Sequence, residues 1–180
     1  MKSFATGLIA LACLSTIAFA EDGSFQLSLF PDIAIHDDTD NINGLAINVW
    51  GMNPQHALDL GIINGSYGQS GGLSLSFINY SENYTGVQWG LLNSATCDFT
   101  GWQAGWINYT ADNFTGFQLA FLNYAGRLSG LQLGLVNMAA QADHGVQIGL
   151  LNLLPENREW FSSHPVDQIG PAMVIVNWRL

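Results

Sequence analysis

The residues best able to do chemistry form one acidic cluster, which runs from His36 to Gly44. Carboxylate and amide oxygens are the ligands that a hard cation such as calcium prefers, and a glycine often shapes the turn of such a loop. The spacing departs from an EF-hand because Ile42 stands where an oxygen ligand is needed. A solvated acidic loop is the alternative interpretation. The candidate ligands for a metal ion are Asp37, Asp38, Asp40 and Asn43.

The histidines are too scattered to suggest a second site. They are separated by long stretches and show none of the short spacings that zinc-binding helices use. The sequence also has no Gly-x-Ser-x-Gly nucleophile elbow and no phosphate-binding loop. We therefore expect a protein without enzymatic activity and without a cofactor. The histidines concerned are His36, His56, His144 and His164.

The glycines, glutamines and asparagines belong to a tandem repeat with starts 14 or 15 residues apart. Its consensus is Gly-x-Gln-x-Gly-x-x-Asn, with apolar residues at the x positions. Weaker copies occur at 44–51, 57–64 and 72–79, and degenerate ones lie near both ends of the chain. Near-constant spacing of this kind indicates a repeat architecture. The close copies are GVQWGLLN (86–93), GWQAGWIN (101–108), GFQLAFLN (116–123), GLQLGLVN (130–137) and GVQIGLLN (145–152).

The alternation within each unit predicts a β-strand with one buried face. We number the first glycine of a unit position 0, so that the apolar residues at positions 1, 3 and 5 are expected to face the core. Glutamine at position 2 would then face outward. The alternation slips at position 6, which predicts a bend beside the asparagine at position 7. The expected core stack at position 5 consists of Leu91, Trp106, Phe121, Leu135 and Leu150.

A parallel β-solenoid with rungs of 14–15 residues fits this unit best. Parallel rungs bring identical positions together, about 4.8 Å apart, and stacked amides can then hydrogen-bond along the stack. The sequence predicts one ladder at a corner, formed by Asn93, Asn108, Asn123, Asn137 and Asn152. It predicts a second ladder on the outer face, formed by Gln88, Gln103, Gln118, Gln132 and Gln147.

The alternative architecture is a closed antiparallel outer-membrane β-barrel of 8–10 strands. The last residues, Met173–Leu180, alternate as an outward-facing final strand would. However, positions 1 to 5 of a unit span only about 13 Å, roughly half of the apolar band that such a barrel needs. Antiparallel neighbours would also separate the repeated amides. The solenoid is the favoured fold.

The first twenty residues have the pattern of a signal peptide. Lys2 precedes the apolar segment Leu8–Ile17, and Ala18–Ala20 forms a small-x-small cleavage site. Export is therefore expected, to the periplasm, the outer membrane or the cell surface. A turn-helix segment at Glu156–Phe161 and the last strand would cap the open end of the repeats. The predicted regions are a signal peptide (1–20), an N-terminal strand with the acidic loop (21–43), the repeat domain (44–152) and a C-terminal cap (153–180).

The repeat unit behind a signal peptide resembles an uncharacterised family of bacterial surface-repeat proteins. The resemblance covers roughly residues 44–152, and the final strand is similar too. It implies an exported protein of the cell envelope. From the residues themselves we expect a non-enzymatic scaffold or binding surface, and the alternative function is that of a porin-like or assembly-related outer-membrane barrel. No catalytic residues can be carried over, because none are known for the family.

The net charge and the aromatic residues limit which classes of molecule this protein can bind. The chain has 4 Lys and Arg against 14 Asp and Glu, so nucleic acid is excluded as a partner. Trp89 and Trp106 are expected in the core. Tyr80, Tyr109 and Tyr124 follow the repeat asparagines and could line a ridge for a glycan or protein partner. Association with the outer membrane stays open, and the sequence does not indicate an oligomeric state.

Overall fold

The computed structural model describes residues 23–158, 160 and 167–180, and in this part of the chain it contains strands and no helix. The predicted signal peptide lies outside these residues. Residues 155–158 form a turn and irregular backbone rather than the start of the expected helix at Glu156–Phe161. The strands are β1 (Phe25–Phe30), β2 (Ile33–Ala34), β3 (Leu45–Gly51), β4 (Leu58–Leu75), β5 (Ile78–Trp89), β6 (Leu92–Ala95), β7 (Phe99–Ala104), β8 (Ile107–Leu153) and β9 (Ala172–Arg179).

Successive repeat units stack in parallel and in register. Asn79 pairs with Asn93, Gly86 with Gly101, and Gly101 with Gly116. Each coil uses about 15 residues, and the stacked coils form a β-solenoid. The long strand β8 winds through several coils without losing its extended backbone. The predicted solenoid is thus confirmed, and the alternative of a closed antiparallel barrel is wrong because equivalent positions of neighbouring units lie side by side.

Antiparallel strands lie at the two ends of the stack. At one end, β2 pairs with β1, which itself continues the parallel stack onto β3. At the other end, β9 runs antiparallel to the last coil of β8, pairing Gly145 with Arg179 and Leu153 with Ala172. The far edge of β9 is paired in turn, since the backbone N–H of Leu180 donates to the carbonyl of Asp167. Edge backbone groups that could recruit another chain are therefore partly occupied.

In the coils between β4 and β8, the bend lies two residues earlier than the sequence predicted. The chain bends at Gly90 and Leu91, between β5 and β6, and again at Gly105 and Trp106. Asn93 therefore lies in a straight wall of the coil and points inward, rather than standing at a corner. Positions 0–3 form one wall, positions 4–5 form the corner, and positions 6–9 form the next wall.

The assignment of inner and outer faces was wrong. The residues expected as a core stack at position 5 are on the surface, where Trp106 is 60% exposed and Leu150 is 72% exposed. The ladder glutamines, expected outside, are at most 1% exposed. Buried amides are stable when each finds its hydrogen-bond partners, and in-register stacking supplies those partners. The units therefore place their amides inside and their large apolar side chains outside.

A small apolar core fills the remaining side of each coil. Tyr84, Phe99 and Phe114 occupy equivalent positions and stack with ring centroids 5.7 and 5.6 Å apart. Leu128 and Ala142 continue this cluster in the later coils, and all five side chains are at most 4% exposed. These residues come just before the position-0 glycine, outside the segment whose alternation suggested a core. Offset aromatic stacking adds to the burial of their surface.

Candidate functional site

The acidic cluster forms a small pocket at the N-terminal end of the solenoid. Its cavity, about 330 Å³, is lined by residues between Pro31 and Thr39 that include Asp37 and Asp38. Asn53 holds the backbone of the loop, because its Nδ2 donates to the carbonyls of Asp37 at 2.6 Å and Asp40 at 3.2 Å. The structure brings Asp37 and Asp38 to the pocket, whereas Asp40 and Asn43 do not line it. Within the described residues, no three acidic, histidine or cysteine side chains converge as metal ligands.

The histidines do not form a site either. His36 Nδ1 lies 3.9 Å from an oxygen of Asp40 within the same loop. His56 and His144 are exposed at separate coils, and His164 lies outside the described residues. Among the described histidines, no two lie in the same part of the solenoid.

The asparagines of position 7 form a continuous buried ladder. From Asn79 to Asn137, each Nδ2 donates to Oδ1 of the next asparagine toward the C-terminus, at 2.7–2.9 Å. Most of these nitrogens also donate to a backbone carbonyl across the coil, as Asn108 does to Leu119 at 3.2 Å. The ladder thus ties neighbouring coils and facing walls together. It begins one unit earlier than the sequence analysis proposed and runs through Asn79, Asn93, Asn108, Asn123, Asn137 and Asn152.

The glutamines of position 2 form a second ladder with the opposite direction. Gln103 Nε2 donates to Oε1 of Gln88 at 3.1 Å, and the bonds continue from Gln118, Gln132 and Gln147 at 2.7–2.8 Å. Every donor therefore points toward the N-terminus. The Nε2 atoms of the last three also bond to carbonyls on the facing wall. The structure therefore stacks the predicted asparagines into one ladder and the predicted glutamines into another, on different walls of the coils.

The early, irregular units keep this interior with other residues. Ser74 replaces glutamine, accepts a hydrogen bond from Asn64 at 2.9 Å and donates one to Asn79 at 2.6 Å. In unit 44–51, glycine and asparagine are exchanged: Asn48 stands at position 4 and Gly51 at position 7. A Cβ added to Gly51 would lie only 2.4 Å from Cγ of Asn48. The side-chain amide of Asn48 therefore occupies, from the other wall, the space that the position-7 asparagine fills in a regular unit. Exchange of the two residues could have been seen in the sequence.

One carboxyl group is buried among these amides. Asp59 stands where other units have glutamine and is 4% exposed. Burial raises the pKa of Asp59 to about 7, although the hydrogen bond from Asn48 Nδ2, at 2.6 Å, partly opposes the rise. Among the described residues, no other carboxyl group is hydrogen-bonded to Asp59. A perturbed pKa alone does not make it a catalytic acid.

The exterior of the repeats carries a large apolar surface, which we call the outer apolar surface. It consists of the corner at position 5 and two flanks, one on each adjoining wall. The corner residues are Phe77, Leu91, Trp106, Phe121, Leu135 and Leu150, each 43–72% exposed. Exposed members of the first flank include Leu73, Trp89, Trp102, Leu119, Leu133 and Ile148, and those of the second include Ile107, Leu122 and Leu151. Trp89 and Trp106, expected in the core, belong to this surface.

A groove crosses the outer apolar surface where one unit has a small side chain. Ala104 stands at position 3, where neighbouring units carry Trp89 and Leu119, and its small size leaves a depression between them. The groove measures about 680 Å³, and Trp102 and Trp106 form part of its lining. Ser76 contributes the only hydroxyl group among the residues that line it. The groove can therefore accept an apolar group but offers few hydrogen bonds.

The charged side chains of the repeats lie on the opposite edge of the coils. Between residues 65 and 153 they all come 10 to 13 residues after a position-0 residue. Arg127 forms an ion pair with Asp143 at 2.7 Å, and Asp98 accepts hydrogen bonds from the backbone and side chain of Asn113. The outer apolar surface itself carries no charged group. We call this edge the charged edge; its residues are Glu82, Asp98, Asp112, Arg127 and Asp143.

The predicted tyrosine ridge is interrupted. Tyr109 and Tyr124 stack with ring centroids 5.1 Å apart and an angle of 11° between the rings. Ser94 lies between Tyr80 and Tyr109 in the parallel register and breaks the row. The Tyr80 hydroxyl instead accepts a hydrogen bond from Trp50 Nε1 at 3.1 Å. The tyrosines thus border the second flank as one pair and one separate residue.

Comparison of the chain with protein-family models, with curated proteins and with solved structures found no match. In the described part of the chain, no helix has the length and apolar character needed to cross a membrane. The resemblance to surface-repeat proteins therefore stays a prediction based on the repeat motif.

Proposed function

We propose that this protein is an exported, non-enzymatic repeat protein of the bacterial cell envelope whose outer apolar surface is a binding surface. One observation carries the proposal: the repeats bury their amides and expose their large apolar side chains. Contiguous exposed apolar patches beyond a few hundred Å² are rare on soluble monomers and mark interaction sites. The solenoid then acts as a rigid scaffold that presents this surface.

The interior supports a scaffold role. Its two amide ladders link the coils between residues 79 and 152, and three of these coils are also joined by stacked aromatic rings, so the walls that hold the outer residues are fixed in register. Repeat proteins commonly use such stacking to present extended surfaces. The signal-like first twenty residues are the reason to place the scaffold outside the cytoplasm.

Cell fractionation followed by mass spectrometry of the protein's N-terminus tests the export and the binding together. We expect the protein in the envelope fraction, with Glu21 as its first residue. A paired variant, Leu135→Glu with Leu150→Glu, should be processed in the same way but released into the soluble exported fraction. Intact protein confined to the cytosol would contradict the export. Envelope retention of the folded, processed variant would contradict the assigned surface.

A further inference from the structure

We infer that the outer apolar surface docks on a lipid bilayer, with the corner residues entering the acyl-chain region and the charged edge remaining in water. This inference rests on the proposed function and names the partner of that surface. The solenoid would lie in one leaflet with its coil axis along the membrane plane, held by side chains rather than by a membrane-spanning segment.

The distribution of charge fits this orientation. Every charged side chain between residues 65 and 153 belongs to the charged edge, half a coil away from the corner. A surface that enters lipid must carry no ionisable groups, because each charge placed there is costly. Since four of the five charges are acidic, a zwitterionic lipid suits the protein better than an anionic one.

The shape of the surface also favours lipid over a second copy of the chain. The apolar residues follow the corner and continue onto both walls, so the surface is convex. A flat partner of similar size could cover one flank but would leave the corner and the other flank in water. Lipid chains are fluid and can surround all three parts. From Phe77 to Leu150 the corner extends over five rung spacings, roughly 24 Å, which gives a long line of insertion.

Polar groups behind this surface do not need water. The glutamine and asparagine side chains beneath it are buried and bonded to each other, as in the bonds of Gln118 to Gln103 and Asn108 to Asn123. Parallel pairing between coils uses the backbone groups of the walls. Polar backbone groups must be satisfied internally wherever lipid replaces water. A solenoid wall of this kind meets that condition without closing into a ring.

Two local features match a lipid interface. The groove over Ala104 is lined almost entirely by apolar side chains and is open to the outside, which suits an acyl chain better than a sugar. Tyr109 and Tyr124 lie at the margin of the second flank, on the way to the charged edge. Tyrosine is enriched where apolar membrane meets water, because its ring is apolar and its hydroxyl is polar.

Flotation of the purified protein with phosphatidylcholine vesicles tests the inference. We expect the protein to float with the vesicles, and its tryptophan fluorescence to be quenched by lipids brominated on the acyl chain. The pair Leu135→Glu with Leu150→Glu should reduce the partition coefficient at least tenfold. The matched pair Ala140→Glu with Gln141→Glu adds the same charge on the other side of the coils and should change it less than twofold. Circular dichroism must show the same β-structure for both pairs.

A conservative change keeps the test informative if the charged pair fails to fold. Trp106→Leu preserves an apolar corner and should retain vesicle binding within about threefold, while Trp106→Ser should lose more. Equal binding by the leucine and serine variants would contradict insertion of the corner.

Three further outcomes separate this inference from the proposed function. Binding to native envelopes but not to vesicles of extracted envelope lipid would overturn the lipid partner and leave a protein or glycan partner in place. A stable dimer without lipid, abolished by the corner pair, would overturn it in favour of a second copy. Folded, exported protein that binds neither envelopes nor vesicles would overturn both proposals.

Discussion

The side-chain nitrogen of Asn48 donates a hydrogen bond to a carboxyl oxygen of Asp59 over 2.6 Å, inside a coil where other units pair amides. Burial raises the pKa of this carboxyl group to about 7, against 3.8 for an ordinary aspartate. The folded protein therefore holds a proton between these two pH values that the unfolded chain releases.

The first prediction concerns pH. Because the pKa of Asp59 is raised in the folded state, its contribution to stability is largest below pH 3.8, falls as the pH rises, and levels off above pH 7. The fall amounts to about 4 kcal/mol in the free energy of unfolding. Asp59→Asn should remove this decline, so that the variant is more stable than the natural protein at pH 8. Urea unfolding at pH 5 and pH 8 measures the difference.

The exposed Asp112→Asn is the control, because it removes one charge without changing the interior. It should show the same decline with pH as the natural protein. If Asp59→Asn also keeps that decline, Asp59 is not the group responsible.

The second prediction concerns the two ladders. Gln118→Leu leaves Oε1 of Gln103 and Nε2 of Gln132 without one of their partners, and Asn123→Leu does the same to Asn108 and Asn137. Each unsatisfied group costs about 1–3 kcal/mol. In chemical denaturation, the free energy of unfolding should therefore fall by several kcal/mol for both variants, and by about the same amount.

Leu119→Gln is the matched control for the ladders, since Leu119 is 39% exposed next to the buried Gln118. It should change the free energy of unfolding by less than about 1 kcal/mol. A large loss for Leu119→Gln together with a small loss for Gln118→Leu would show that the inner and outer faces are the reverse of those described.

The third prediction concerns Tyr84. Its ring stacks on Phe99, but its hydroxyl is buried and has no hydrogen-bond partner among the described residues. Burial, with a smaller effect of Asp59, raises the pKa of this phenol far above its ordinary value. Tyr84→Phe keeps the ring and removes the unpaired group, so it should stabilise the protein by about 1–3 kcal/mol. The gain is measured as a rise in melting temperature, with Tyr109→Phe as the control because the Tyr109 hydroxyl is on the surface. A lower melting temperature for Tyr84→Phe, with no change for Tyr109→Phe, would contradict the prediction.

The fourth prediction concerns the glycine that opens each unit. Gly101 has φ of +133°, and a Cβ there would lie 2.0 Å from the carbonyl oxygen of Gly86 in the preceding coil. Gly101→Ala should lose at least about 2 kcal/mol, from backbone strain and displaced coils. Gly68 has φ of +61° but open space around it, so Gly68→Ala should lose only about 1–2 kcal/mol. Urea denaturation distinguishes them, and equal losses would mean that the contact between coils is unimportant.

The repeat spacing was enough to predict the solenoid and its register, since only parallel stacking gives a purpose to identical positions. The faces were misassigned because alternation shows that two faces differ but not which one is buried. A better signal was present. Glutamine at position 2 hardly varies among the close units, whereas position 1 holds Val87, Trp102 and Phe117. A packed interior does not accept such changes in volume, but a surface does.

The irregular units depart from the consensus at the positions that fill the interior. Asn48 and Asp59 fill the interior of units that lack the consensus glutamine or asparagine. Their hydrogen bonds join neighbouring coils. No pattern within one unit could predict the raised pKa of Asp59, because it depends on how completely the surrounding coils exclude water. The groove over Ala104 likewise depends on the larger side chains of the units on both sides.

The opposite directions of the two amide ladders bear on how this chain can change in length. Each side-chain amide is a dipole, and each regular unit adds one asparagine dipole directed one way and one glutamine dipole directed the other. Their contributions along the axis largely cancel in every unit, so the dipole moment of the interior does not build up as units are added. Duplication or deletion of a whole unit therefore meets no growing electrostatic penalty.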